Sequence, residues 1–210
     1  MPQLIVEKRY TYLVLKRCFD ICGSLLALIL LSPLFLAISL LILFEDGAPV
    51  FYRHQRVGKD GKLFEMYKFR TMYQNGTKRL TPEQQRELHR EFKLEDDPRV
   101  TRIGQKLRTS SLDELPQLVN ILKGEMSFVG PRPIIEEEFN NYTPEETLEF
   151  QSVKPGLTGY WQAYARNDAT YLSGERQAME MYYVQNASVG LDLQILFKTV
   201  GAVIRKTGVK

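Results

Sequence analysis

From Ile21 to Phe44 the chain carries no charged residue, and Asp20 and Glu45 close the run at either end. Nothing else in the 210 residues restricts the fold as severely. As one helix these positions extend about 36 Å, against a hydrocarbon layer of ~30 Å. A helix of that length, apolar on every side, has no face to offer water, so the run predicts contact with a bilayer. It is too long for the apolar part of a cleavable signal, and its Ser32-Pro33 region makes a poor cleavage site.

The flanks bear on how the run is used. Lys8, Arg9, Lys16 and Arg17 precede it, and Arg53, Arg56, Lys59 and Lys62 follow. Positive residues favour the cytoplasmic side. A crossing helix leaves one of these balanced clusters on the wrong side, whereas a helix that enters and returns to the same face satisfies both. Ser32-Pro33 lies near the midpoint. Pro33 has no N–H for the Ile29 carbonyl and its ring crowds that carbonyl, so a bend is expected there. The Ser32 hydroxyl can bond a carbonyl one turn back and leave no polar group bare in lipid. A kinked helix that crosses fully is the competing reading.

Apolar residues make up 44% of the chain, enough for a packed core. The net charge of +3 suits an anionic membrane surface or a phosphorylated ligand without identifying either. Cys18 and Cys22 form no disulfide framework, which points to a reducing compartment, and His54 and His89 make no zinc pattern. The stretch from Phe51 to Met72 predicts a β-hairpin turning at Asp60-Gly61. Gln74 to Leu94 is polar, and reads as an exposed helix or a mobile insertion after Thr81-Pro82. Thr109 to Leu122 predicts a helix, with Leu115, Leu118, Val119 and Leu122 at helical spacing. FVGPRP reads as a rigid loop, Pro133 onward as an acidic-start helix, and VKPGLTGYWQ as turn-rich. Helices are expected over Tyr171 to Tyr183 and Leu191 to Ile204, the latter ending in Arg205 and Lys206. Its apolar face (Leu193, Leu196, Phe197, Val200 and Ile204) belongs either in the core or on the bilayer surface.

The chemistry concentrates in LRTSSLDELPQL, Leu107 to Leu118. One account of Asp113-Glu114 is structural: Ser111-x-x-Glu114 reads as a capping box, and acidic residues suit a helix's first turn. The other is catalytic. A carboxylate at a helix N-terminus stays ionised, as a nucleophile must, and the exposed N–H groups favour an approaching phosphate. Neighbouring helical residues point about 100° apart, so the two carboxylates suit separate tasks, one attacking phosphorus and the other holding a divalent cation. Arg108 lies just before this segment. Arg132 stands between Pro131 and Pro133, so its planar guanidinium is presented to phosphate oxygens or a base edge with little entropy left to lose. Lys68 and Arg70, in YKFRTM, add two further cations.

The blocks KRCFDI with the Ser32-Pro33 run, QRVGKDGKLFEMYKFRTM, DPRVTRIGQKLRTSSLDELPQLVNILKGEMSFVGPRP, VKPGLTGYWQ and YYVQNASVGLDLQILFKTV follow one another over nearly the whole chain. In them the chain resembles the bacterial sugar transferases known as monotopic phosphoglycosyl transferases. That resemblance implies an α-dominated α+β fold with an N-terminal re-entrant membrane helix-hairpin kinked at Ser32-Pro33, a small β-hairpin and interfacial amphipathic helices. Residues 1–46 would form the flank and membrane helix, and 47–210 a cytoplasmic catalytic domain. It implies attack by Asp113 on the β-phosphate of a UDP-sugar, departure of UMP, and passage of the phosphosugar to polyprenyl (undecaprenyl) phosphate. Glu114 would hold Mg²⁺, Arg132 with Pro131 and Pro133 would contact nucleotide or phosphates, and Arg108, Lys68 and Arg70 would assist. The implied place is the cytoplasmic face of a bacterial inner membrane, in contact with its lipids and with no nucleic acid partner. Whether the protein forms a homodimer is left open. Only about 15 residues precede the matching region, which suggests a small, catalytic-only form. GYWQAYARND departs from the GWAQVNGRND pattern of many members, which leaves the sugar open.

Two other classes use some of the same features. A non-enzymatic membrane scaffold would need the hairpin and basic loops but not Asp113. A metal-dependent phosphohydrolase would release sugar phosphate without a lipid acceptor.

Overall fold

A computed structural model describes residues 2–91, 94, 97–165 and 173–205, with side chains over 10–86, 94, 97–165 and 173–201. The side chains of Lys8, Arg9, His89, Ile204 and Arg205, and the whole of residues 166–172 and Lys206, lie outside those described residues. Among the described residues helices dominate, accompanied by two small two-stranded sheets. Helix α1 (Pro2–Leu30) and α2 (Ser32–Asp46) are separated at Leu31, whose φ of −90° and ψ of 0° interrupt the helical backbone. Pro33 falls in the first turn of α2, where a backbone N–H would have had no intrahelical acceptor. The break thus comes at Leu31, directly before the Ser32-Pro33 step where a bend is expected. Ser24 and Ser39 donate to the carbonyls of Asp20 (2.5 Å) and Phe35 (2.7 Å), so these hydroxyls are satisfied within their own helices. Among the described residues no single helix is long and apolar enough to cross a membrane; α1 and α2 meet that test only together, across their bend.

The remaining elements are β1 (Phe51–Val57), β2 (Leu63–Phe69), α3 (Pro82–Glu91), α4 (Arg102–Ser110), α5 (Gln117–Lys123), β3 (Ser127–Val129), α6 (Pro144–Gln151), β4 (Gly156–Thr158), α7 (Tyr160–Tyr164), α8 (Glu175–Asn186) and α9 (Val189–Arg205). Strands β1 and β2 pair, and the turn between them places Asp60 (φ 58°) and Gly61 (φ 71°) in the left-handed region, as an Asp-Gly hairpin turn requires. The chain forms two compact units. The larger contains Met1–Leu30, Arg53–Tyr67 and Pro116–Lys210; the smaller contains Leu31–Tyr52 and Lys68–Leu115.

In the larger unit α1 packs along α5. Arg17 donates to the Ile121 and Leu122 carbonyls (2.8 and 2.9 Å), setting a cation against the end of α5, where the helix dipole favours one. Buried Asp20 accepts from the Ser127 hydroxyl and the Phe128 N–H, both at 3.0 Å, and so ties β3 to α1. Lys16 pairs with Asp192 at 2.7 Å, a carboxylate that also accepts from the Tyr12 and Tyr183 hydroxyls. Strand β3 runs parallel to β4, with Ser127 opposite Gly156 and Val129 opposite Thr158. Sequence reading treats both as loop because each strand is three residues long and bounded by Gly and Pro. The close approach is possible because Gly130 and Gly156 face each other: a Cβ on Gly156 would lie 2.1 Å from the Gly130 nitrogen. The acidic stretch after Pro133 begins as a 3-10 turn (Glu136–Asn141), and α6 follows with its own capping box, Thr143 with Glu146. On α9, Ile195 is fully buried with Val129 and Tyr183, while Val189, Leu193, Phe197 and Val200 are exposed, Phe197 by 77%. That stripe therefore lies outside the unit's own core.

The smaller unit is built around Ile38, Ile42, Phe69 and Leu107, with Leu34, Phe35, Val50, Ile103, Leu112 and Leu115 packed against them. Helix α2 thus spends one face on this core. Its other side leaves Leu36, Leu40, Leu41, Leu43 and Phe44 exposed, Phe44 by 86%. Two groups close the start of α4: the Thr101 hydroxyl accepts from the Gly104 N–H (2.8 Å), and the Glu45 carboxylate accepts from the Ile103 N–H (3.1 Å). Gly104 is the point of closest approach, since a Cβ there would stand 2.1 Å from the Thr71 carbonyl oxygen. A Gly104→Ala chain must move backbone, and a loss of about 2 kcal/mol or more is expected in detergent-solubilised unfolding. Gly190→Ala, which meets nothing within 4 Å, should change stability by no more than about 1 kcal/mol.

Candidate active site

Helix α4 ends at Ser111, whose φ of 57° is left-handed and whose N–H donates to the Arg108 carbonyl at 3.1 Å. A single 3-10 turn, Leu112–Glu114, follows, and α5 begins only at Gln117 because Pro116 has no N–H to donate into an earlier turn. This corrects the helix expected from Thr109 and its capping box. Ser111 closes α4 instead of opening a helix, and its carbonyl accepts from the Glu114 N–H at 3.3 Å. Asp113 therefore sits on a short turn between two helices, not in the first turn of a long one, and no helix dipole holds it ionised.

Its surroundings do the opposite. Asp113 is only 8% exposed. Burial pushes its carboxyl up to about 6, and the like charge of Glu114 adds to the rise, while Lys68 and Arg108 oppose it. Leu112 and Leu115 hold the turn from both sides, because both pack on the core of the smaller unit. Glu114 is more open and accepts from the Lys68 ammonium at 2.7 Å. Arg108 donates from Nε to the Thr71 hydroxyl at 2.9 Å; burial draws its guanidinium below the ordinary value, and the charges of Asp113 and Asp97 resist. Asp97 and Arg99 stand within this electrostatic cluster, and sequence reasoning does not find them. Burial pushes Asp97 up, but hydrogen bonds from Arg99 at 2.6 to 3.1 Å outweigh it and hold the carboxyl below its usual range. The only sequence signal for that pair is the Asp-Pro-Arg step itself.

Asp113, Glu114, Lys68 and Arg108 thus come together within one unit. Arg70 belongs to the same unit but is used differently. Its buried guanidinium lies 3.3 Å from the Asp46 carboxylate and donates to the Asp46 and Gly47 carbonyls, closing the C-terminal end of α2. Pro131, Arg132 and Pro133 belong to the larger unit. There the Pro131 carbonyl accepts from the Gly156 N–H (2.8 Å), and the Arg132 N–H donates to Glu180 (3.1 Å). Arg132 and Arg176 lie over the Trp161 ring at 5.6 and 4.4 Å. Burial raises Glu180 to about 7 even though the Arg132 N–H and the charges of Arg176 and Arg132 favour its ionised form. Glu180 is also missed from sequence, where it reads as one more polar residue in a helix.

The arrangement in the smaller unit combines a desolvated carboxylate of raised proton affinity with a second carboxylate and two cations. Once ionised, such a carboxylate is a strong nucleophile, and the cations can receive the oxygens of a phosphorylated electrophile.

Comparison with known proteins matches residues 11–206 to the family described as bacterial sugar transferase. The chain is 48% identical over 199 residues to the exopolysaccharide production protein ExoY of Sinorhizobium fredii, covering 92% of this chain and 87% of that one. It is 44% identical over 200 residues to the UDP-galactose-lipid carrier transferase of Erwinia amylovora and, likewise, to the undecaprenyl-phosphate galactose phosphotransferase of Salmonella typhimurium. In both of these the match covers 92% of this chain but 41% of the longer relative.

The burial of Asp113 has a direct consequence for stability. Its folded-state value lies above that of an unfolded aspartate, so the folded state holds the proton more tightly. The contribution of this one group to stability is full below about pH 4, declines as the pH rises through about 6, and is level above that. Asp113→Asn, a neutral isostere, should be more stable than the parent at pH 8 by up to about 3 kcal/mol, with the difference vanishing near pH 4. Thermal unfolding of both proteins across that range checks it.

Proposed function

This chain belongs to the bacterial sugar transferase family, and we propose that it moves a sugar-1-phosphate from a UDP-sugar to polyprenyl phosphate through a covalent intermediate on Asp113. The observation that carries the reading is the buried Asp113 carboxylate, raised to about 6 and flanked by the Glu114–Lys68 pair and Arg108. In the first step an Asp113 oxygen attacks the β-phosphorus. The bond from that phosphorus to the bridging oxygen breaks, and UMP leaves with the electron pair. In the second, an oxygen of the lipid phosphate attacks the same phosphorus and the Asp113 carboxylate is released. Lys68 and Arg108 stabilise charge building on the phosphoryl oxygens, and Arg132, presented between its two prolines, holds the nucleotide or its phosphates.

Mg²⁺ fits the donor set in one particular way. Among the described residues no group of three His, Cys, Asp or Glu side chains gathers to make a closed cage. Magnesium commonly binds through one or two carboxylates together with substrate phosphates and water, and the open Glu114 carboxylate suits that arrangement. When bound, the ion would neutralise charge on the diphosphate. Lys68 would then act as the counter-charge that keeps Glu114 oriented.

The names of two relatives make UDP-galactose the first donor to test and undecaprenyl phosphate the first acceptor. The exposed apolar faces of α1, α2 and α9 support apposition to a bilayer, with α1 and α2 entering and returning on the cytoplasmic side. In that arrangement residues 1–46 anchor the protein and the rest works at the inner-membrane surface.

With UDP-sugar alone, about one UMP per active site should appear in a burst, and mass spectrometry should find a phosphosugar adduct on the Asp113 peptide. The burst rate should rise with pH through about 6, because only the ionised carboxylate attacks. Asp113→Asn should give neither burst nor adduct, a loss of at least about a thousandfold. An active enzyme that never yields the adduct in single turnover would overturn the covalent route.

Accessibility labelling tests the topology. Tags at both termini should react only from the cytoplasmic side, and replacing Ser32-Pro33 with Ala-Ala should send a fraction of molecules into a spanning form. Periplasmic labelling of a terminus in the parent protein would exclude the re-entrant arrangement.

A further inference from the structure

Beside α1, within the larger unit alone, lies a cavity of about 1130 Å³. Lys16, Arg17, Lys59 and Lys154 line it, and the apolar side chains of Leu13 and Val184 are among its walls. None of these residues takes part in the reaction described above. Two of the four cations are already engaged: Lys16 by Asp192, and Arg17 by the α5 carbonyls. The side-chain ammonium groups of Lys59 and Lys154 have no hydrogen bond or close ion pair among the described residues. Lys154 is nevertheless partly buried, and it converges with Arg17 over Gly124: a Cβ there would lie 3.1 Å from the Arg17 Nη2 and 3.4 Å from the Lys154 Nζ. The carboxylates on the wall are committed elsewhere. Asp20 accepts from Ser127 and Phe128, and Glu149 accepts from Gln185 at 3.0 Å. Burial draws the Lys154 ammonium below its ordinary value, and so do the charges of Arg17, Lys59 and Lys16, with Asp20 opposing them.

A half-buried ammonium facing other cations with no partner of its own is costly unless an anion joins it. The apolar walls and the position on α1 narrow the choice. The cavity begins at Tyr12 and reaches Asp20, the last charged residue before the uncharged run, and α1 there exposes Leu13, Val14 and Phe19. On a helix entering a bilayer, that stretch lies at headgroup depth. We infer that this cavity binds the phosphate of an anionic lipid, with Lys154 and Lys59 on the phosphate oxygens, the charge of Arg17 beside them, and the apolar walls against the first part of the acyl chains. The placement at headgroup depth rests on the membrane apposition proposed above; the cationic cavity itself does not.

Short-chain dihexanoyl lipids in detergent separate the two, because they probe the headgroup site without requiring insertion. Dihexanoyl phosphatidylglycerol should raise the unfolding midpoint of the full chain more than dihexanoyl phosphatidylcholine. Lys154→Gln should need about tenfold more of it for the same shift, and Lys154→Arg should behave like the parent. The UMP burst from UDP-sugar alone should be unchanged in both variants, so a failure here is distinguishable from failure of the covalent reading. Inorganic phosphate is the comparison arm. If it stabilises the protein as well as phosphatidylglycerol does, at equal concentration and with the same dependence on Lys154, the lipid assignment is overturned in favour of a free-anion site. If Lys154→Gln responds to phosphatidylglycerol like the parent, the site itself is overturned.

Discussion

The packing of Leu112 and Leu115 onto Ile38, Ile42, Phe69 and Leu107 is the contact on which the smaller unit turns. A three-residue turn has almost no structure of its own, since a 3-10 turn offers few and poorly aligned hydrogen bonds. Asp113 and Glu114 keep a defined position because the residues on either side of them are buried. The core that receives those residues is one face of α2, and the opposite face carries Leu36, Leu40 and Phe44 outward. One short helix is therefore apolar on both its buried and its exposed face. It has no polar stripe, and its side-chain ties to other elements at its end run through Glu45 to α4 and Asp46 to Arg70.

Burying the turn sets the electrostatics of the site. An aspartate kept at the end of a helix dipole would be acidic and weakly basic. Asp113 is instead withdrawn from water, and its proton affinity rises although Lys68 and Arg108 are near. Desolvation outweighs the two cations because the Lys68 charge is already shared with Glu114 and Arg108 is hydrogen-bonded to Thr71. The cost of withdrawing this carboxyl from water is borne by the folded state. The Asp97–Arg99 pair is the counter-example in the same unit. It is also shielded, but several direct hydrogen bonds reverse the balance and its carboxyl stays acidic.

The larger unit handles its polar groups by a different logic. Helix α1 carries Lys16, Arg17 and Asp20 on the side that packs inward, and each meets a partner on a different element: Asp192, the end of α5, and the start of β3. These bonds orient α1 by directional contacts, leaving its apolar residues to face outward. Arg132 is held similarly. Its position depends on the pairing of β3 with β4, the Gly130–Gly156 approach and the Glu180 carboxylate below its N–H.

Much of this was readable from the residues. An uncharged run bounded by acids, interrupted by Ser-Pro and flanked by equal basic clusters, is a local and compositional signal, and so is the Asp60-Gly61 hairpin turn. Asp113, Glu114, Lys68, Arg108 and Arg132 were singled out by residue type and by the resemblance of the blocks around them. The helix end at Ser111 was not legible, because a serine before an acidic pair caps a helix or closes one according to its φ, and that φ follows from how Leu112 and Leu115 pack. The β3–β4 pairing escaped for a related reason: strands of three residues carry no periodicity, and only a partner distant in sequence makes them strands. The titration of Asp113, the commitment of Arg70 to the end of α2, and the roles of Asp97 and Glu180 all depend on burial and on which charges share a site. Sequence determines which charges exist; the tertiary structure decides which of them lose their water, and in what company.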